Sequence, residues 1–166
     1  MNRLKGRIVL AAVPIAAAGL ATTALALGAA GPTVRAGWWE MNLTGGGQGQ
    51  ALQMCLDDAT AKTTSVFPNS GGAPCANQSV RETATGYDFT STCNIGGQVI
   101  MTTATATGDF QTSYKVEVTS RRTPAPTPTL GETHSTMEAK WSGACPSGRA
   151  AGDIVVNGKV VGHEGK

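Results

Sequence analysis

Along most of this chain apolar and polar residues alternate with a period of two, the spacing of a strand that buries one face. Between Gly37 and Leu43, Trp39, Met41 and Leu43 fall on one side, and Trp38, Glu40 and Asn42 on the other. From Gln50 to Leu56, Leu52, Met54 and Leu56 alternate with Gln53 and Cys55. The stretch Thr44-Gly45-Gly46-Gly47-Gln48-Gly49 between them predicts a flexible hairpin loop. Further strands are predicted at Gln78–Thr85 and Tyr87–Cys93 around Gly86, and at Val99–Thr107 and Phe110–Arg121 around Gly108-Asp109. In the last of these, Phe110, Thr112, Tyr114, Val116 and Val118 share a face opposite Gln111, Ser113, Lys115, Glu117 and Thr119. Threonine is frequent because its β-branch suits the pleat while its hydroxyl tolerates water.

Pairing resumes at His134–Ser142, with Met137, Ala139 and Trp141 facing away from Glu138 and Lys140. Ile154–Val161 carries Asn157-Gly158 at its centre, the signature of a two-residue hairpin turn. The last five residues, 162–166, are expected to fray. Helix is scarce: Asp57 can cap one short turn over Asp58-Ala59-Thr60-Ala61-Lys62. From Thr63 to Pro74 the chain reads as loop, and Arg121–Pro128 as a stiff Pro-rich crossing without a P-x-x-P ligand motif. Up to eight short strands with tight turns predict an all-β fold with one short helical turn. The expected form is an antiparallel meander curled into a small barrel or a strongly curved sheet or sandwich.

The amino terminus changes how the charge is read. Met1-Asn2-Arg3-Leu4-Lys5-Gly6-Arg7 is basic and carries no acid, and an Ala-rich apolar run follows from Ile8 to Ala30. Basic head, apolar middle and small-residue end are the parts of a secretory signal, which predicts a signal peptide over 1–30 and a single β-rich domain over 31–166. Cleavage is expected after Ala30, with Ala26 as the alternative. The competing reading is a retained anchor, since the run is about the roughly 20 residues that span a bilayer. Of the 13 basic residues, Arg3, Lys5 and Arg7 leave with the signal, so ten face all 11 acidic ones and the net charge turns from +2 to −1. That balance excludes a basic face for nucleic acid.

Cys55, Cys75, Cys93 and Cys145 all lie beyond the signal. An even cysteine count in an exported chain predicts disulfides, and no C-x-x-C spacing marks a zinc site. Cys75 and Cys93 sit about level across the hairpin that turns near Gly86, which favours the pairs Cys75–Cys93 and Cys55–Cys145.

Three short motifs carry a family resemblance. Ala36-Gly37-Trp38-Trp39-Glu40-Met41 resembles a "G-x-W-E" opening, Gln53-Met54-Cys55-Leu56 a "q-x-C-l" segment, and Ser142-Gly143-Ala144-Cys145-Pro146 a closing "G-x-C-P". Together, over about Ala36 to Gly158, they resemble the domain of unknown function 3617, an exported proteobacterial family. The resemblance implies a β-rich fold and a periplasmic or secreted location. It supplies no activity and no catalytic residues.

The residues offer little chemistry. His163-Glu164 lacks the second histidine of a zinc-protease helix, and His134 begins a strand on its polar face near Glu132 and Glu138. No G-x-S-x-G elbow is present, and adjacent Asp57 and Asp58 read as a helix cap complementing the dipole. No catalytic, metal or cofactor residues are therefore expected, and an enzyme is the least favoured class. Consecutive Trp38 and Trp39 must point to opposite faces of a strand. Trp39 belongs to the core, and Trp38 beside Glu40 becomes a candidate ligand or partner surface. The expected function is non-enzymatic binding of a small apolar molecule or an envelope partner. The alternatives are a structural or stress-related envelope protein without a pocket, and, last, an enzyme.

Overall fold

Alternating side chains need a surface to be buried against, and among the described residues nine strands pair into one sheet. A computed structural model describes residues 31–67, 75–125 and 131–164. The strands are β1 (Gly37–Gly45), β2 (Gln48–Leu56), β3 (Cys75–Thr83), β4 (Gly86–Ile95), β5 (Gln98–Gly108), β6 (Ser113–Thr123), β7 (Glu132–Gly143), β8 (Asp153–Val156) and β9 (Lys159–His163). One helix, α1 (Asp58–Thr63), follows β2. The spatial order is β3-β4-β5-β6-β7-β1-β2-β8-β9, and every neighbouring pair is antiparallel. A five-stranded meander thus ends on β7, which pairs with β1 rather than with its successor in the chain.

The sheet does not close into the small barrel that is one of the expected forms: β3 and β9 stand at its two edges. Its apolar face is buried by irregular chain instead of by edge-to-edge closure. Val34 from the segment before β1, Ala61 from α1, Val66 and Phe67 beyond it, and Phe110 between β5 and β6 all join the core. Against them the sheet presents Trp39, Met41, Met54, Leu56, Phe89, Ala104, Ala106, Tyr114, Val116 and Ala139. Register aligns these residues across strands, with Trp39 opposite both Met54 and Trp141, and Met41 opposite Leu52 and Ala139. Trp39 and Tyr114 lie 5.2 Å apart between ring centroids, and Phe110 lies 5.6 Å from both Tyr114 and Tyr87.

Local chemistry places several boundaries differently from the periodicity. The β1–β2 loop is a two-residue turn, because Gly46 and Gly47 take φ of 59° and 83°, the twist that lets both strands run on into the turn. Phe110 and Thr112 lie in the β5–β6 connection, not in β6. The Asp109 carboxylate accepts from the backbone N–H groups of Gln111, Thr112 and Ser113 and from the Thr112 hydroxyl, which folds the chain into a compact turn. Phe110 then takes φ 56° and tucks its ring into the core. Arg121, Arg122 and Thr123 end β6, so the Pro-rich stretch connects adjacent strands rather than crossing the sheet; its residues 126–130 lie outside the described ones.

Those four hydrogen bonds hold the Asp109 carboxyl well below the usual carboxylate range, the Thr112 hydroxyl contributing most. A carboxylate with a depressed pKa stabilises the fold above its unfolded value, and that contribution fades as pH falls toward the folded value. Asp109→Ala is therefore expected to lower the thermal midpoint at pH 7, with the gap to wild type narrowing from about pH 5 downward. A gap that stays constant down to about pH 2 would show that the carboxylate charge plays no part.

At the carboxyl end the strand pattern continues past Val161. β9 runs to His163, Glu164 N–H donates to Gly152 O at 2.7 Å, and His163 Nδ1 lies 2.9 Å from Oδ1 of the buried Asp153. The other Asp153 oxygen accepts from Ala150 N–H at 2.9 Å, so a polar clasp on both sides ties the last hairpin to the turn before it.

Candidate functional site

Behind β2 the chain leaves the sheet in a short capped helix. Asp57 accepts from Ala59 N–H and Thr60 N–H, and the Thr60 hydroxyl accepts from Asp57 N–H, a reciprocal capping box that fixes where α1 starts. These bonds keep the Asp57 carboxyl below its ordinary pKa, Thr60 being the largest cause. They account for the aspartate pair as a helix start. Past α1, Ser65 bonds locally through its hydroxyl to Phe67 N–H and O, and Val66 and Phe67 turn down onto the sheet. Phe67 stacks on Phe89 of β4 at 5.0 Å.

This strap of four residues, 64–67, leaves a cleft on each side. One, of about 400 Å³, is lined by apolar side chains of the sheet face, Leu43, Val116, Val118 and Met137, with Val66 and Phe67 as its wall. Ser65, Ser135 and Thr136 are its polar members, and among the described residues no titratable side chain lines it. The other, of about 450 Å³, lies toward β3 and includes Pro32, Val80 and Phe89 together with Lys62 and Gln78. Periodicity could not reveal these clefts, since the strap falls where the chain reads as loop. Its only sequence signal is an apolar pair, Val66-Phe67, inside a polar stretch.

Trp38 and Glu40 lie elsewhere. Strand alternation turns them to the face opposite Trp39, with Trp38 across from Cys55 and Gly143 and Glu40 across from Gln53 and Lys140. Trp38 is half-buried, Glu40 is exposed, and neither lines the apolar cleft.

On that same outer face His134 meets two partners. Its Nδ1 lies 3.0 Å from the Thr119 hydroxyl and its Nε2 3.1 Å from Glu132, whose carboxylate also pairs with Arg121. Arg121 is the main cause of a Glu132 pKa below the ordinary range. Hydroxyl, imidazole and carboxylate in series have the order of a nucleophilic triad. The His134 side chain, however, is 70 % exposed, and the neighbouring β6 and β7 backbone is committed to the ladder, where it cannot serve as an oxyanion hole. The arrangement works as a surface hydrogen-bond row across two strands. Among the described residues no group of three or more His, Cys, Asp or Glu side chains is placed to hold a metal ion.

The three motifs have structural duties. A Cβ at Gly37, where φ is +134°, would sit 2.2 Å from the Trp141 indole nitrogen, so the glycine makes room for that ring. Trp141 Nε1 donates to Ala36 O at 3.0 Å, and Trp39 Nε1 donates to Arg35 O at 2.8 Å, clamping the segment ahead of β1. The guanidinium of Arg35 also lies 3.8 Å over the Trp141 ring. Cys55 and Cys145, from the second and third motifs, are bonded to each other, and Cys75 is bonded to Cys93 directly across β3 and β4.

No curated protein and no solved structure matches the chain. A family model described as "Protein of unknown function (DUF3617)" matches residues 34–145. The match begins at the buried Val34 and ends at the bridged Cys145, and so takes in β1 through β7 and both disulfides. With about two thirds of its length matched, from the clamped segment before β1 to the last bridged cysteine, the chain belongs to the DUF3617 family.

Proposed function

We propose that this protein is an exported, non-enzymatic domain that binds a small apolar molecule in the cleft beside the strap. The observation that carries the reading is the lining of that cleft: six apolar side chains from the sheet and the strap, three small hydroxyl residues, and among the described residues no acid, base or nucleophilic thiol. Its volume of about 400 Å³ is in the range of small-molecule sites, which are mostly apolar with a few polar groups to orient the ligand. Two disulfides suit an oxidising compartment, and among the described residues no helix is long and apolar enough to cross a membrane. The disulfides support a periplasmic or secreted protein released by cleavage of residues 1–30, a segment outside the described residues.

The test is binding of a neutral fluorescent probe, N-phenyl-1-naphthylamine, followed by emission. Ser135→Trp places a large ring in the cleft and is expected to weaken binding at least about tenfold. Trp38→Ala, on the opposite face, is expected to leave binding unchanged. Folded Ser135→Trp protein that binds the probe like wild type would remove this cleft as the site. A loss confined to Trp38→Ala would move the site to the outer face.

A further inference from the structure

We infer that the second cleft, on the β3 side of the strap, takes the carboxylate end of a single-chain amphiphile; this rests on the binding reading above and names the ligand class. Its lining is divided. Phe67, Phe89, Val80, Val66 and Pro32 supply the apolar part, whereas the polar residues are Thr33 ahead of β1, the end of α1 with the start of the strap, and Gln78 and Ser79 of β3. Among the described residues Lys62 is the only charged side chain in the lining, and no carboxylate there neutralises it.

Lys62 is uncommitted. Although Asp58 stands one helical turn before it, Lys62 forms no ion pair in the described part of the chain. The Gln78 side-chain amide, exposed on the edge strand β3, likewise has no hydrogen-bond partner there. An unpaired ammonium and a free amide, lining the same cleft as the stacked rings of Phe67 and Phe89, complement an anionic oxygen pair joined to an apolar tail. A neutral apolar molecule would leave both donors unused, and a cationic one would be repelled by Lys62. Gly31 also lines this cleft, so a chain cut after Ala30 would carry its α-ammonium at the same mouth and strengthen the preference.

The experiment compares dodecanoate with dodecanol by calorimetry on the exported protein, wild type and with Lys62→Met or Lys62→Arg. Lys62 is exposed, so both variants should fold; circular dichroism checks this. The expected result is that wild type and Lys62→Arg prefer dodecanoate about fivefold or more, and that Lys62→Met loses most of that preference while still binding dodecanol. The preference should also shrink as salt rises, since the charge is only partly shielded from solvent. Equal binding of the two ligands by wild type, or an unchanged preference in Lys62→Met, would overturn the proposal. If the naphthylamine probe still binds in that case, the apolar-cleft reading stands and only the anionic class is lost. If the probe fails as well, both are lost.

Discussion

Removing the Cys55–Cys145 bridge by a double alanine substitution is expected to destabilise the protein by about 4–5 kcal/mol, against about 3 kcal/mol for removing Cys75–Cys93. The difference follows from loop length. The first bridge joins residues 90 apart in sequence and the second joins residues 18 apart, and a longer closed loop removes more entropy from the unfolded chain. Position in the sheet adds to the contrast. Cys75–Cys93 staples two strands that already pair along most of their length, apart from a bulge between Ala76 and Ser79, whereas Cys55–Cys145 spans β1, from β2 to the segment after β7. That segment leads into the β8–β9 hairpin, which touches the rest of the sheet through only two register pairs, Gln53 with Val155 and Met54 with Ile154. A hydrogen bond from Gly152 N–H to Cys55 O at 2.7 Å holds the same corner. Urea denaturation of the two double variants checks the ranking. Hydrogen exchange should show faster opening of residues 153–163 in the Cys55/Cys145 variant alone. Equal losses in the two variants would mean that chain entropy is not what distinguishes the bridges.

Trp39→Ala should cost a comparable amount, about 3–5 kcal/mol, the range for emptying a large aromatic site in a packed core. Trp39 is 0 % exposed. It meets Tyr114 within the sheet face, and its indole N–H donates to Arg35 O, so the substitution leaves both a cavity and an unsatisfied carbonyl. Domains of this size are stable by about 5–15 kcal/mol in total, and the variant is expected to populate unfolded chain at 37 °C. Trp39→Phe retains much of the apolar burial but not the donor, and should fall between the two. Trp38→Ala provides the contrast, because the neighbouring residue points to the other face and is only half-buried. Its cost should be well below that of Trp39→Ala in the same urea titration; equal costs would contradict the assignment of faces.

The division between Trp38 and Trp39 was legible because strand geometry forces neighbours apart, whatever the rest of the chain does. The same rule explains why the facing residues of β2, β6 and β7 agree with the periodicity. It fails at Phe110, which alternates correctly with Tyr114 and Val116 yet sits in a turn. There Asp109 offers the backbone three acceptor bonds, a local alternative to the ladder that an apolar-polar pattern does not register. The end of β9 at His163 was not legible from periodicity, since the clasp between His163 and Asp153 comes from a partner ten residues earlier in the chain. The clefts were the least legible feature. Their walls come from β1, β6 and β7 on one side and from β3 and β4 on the other, and they exist only because Val66 and Phe67 come to rest between these groups.

What the sequence determined by itself is local and periodic: the strands and their two faces, the capped helix start at Asp57, the Asn157-Gly158 turn, and the level register that sets Cys75 opposite Cys93. Each depends on residues within one hairpin or one turn. Tertiary structure alone decided that the sheet stays open, that β1 sits between β7 and β2, and that irregular chain, not a closing strand, covers the apolar face. Those outcomes depend on which distant surfaces bury the most apolar area together, a comparison among whole arrangements that no single segment of the chain encodes.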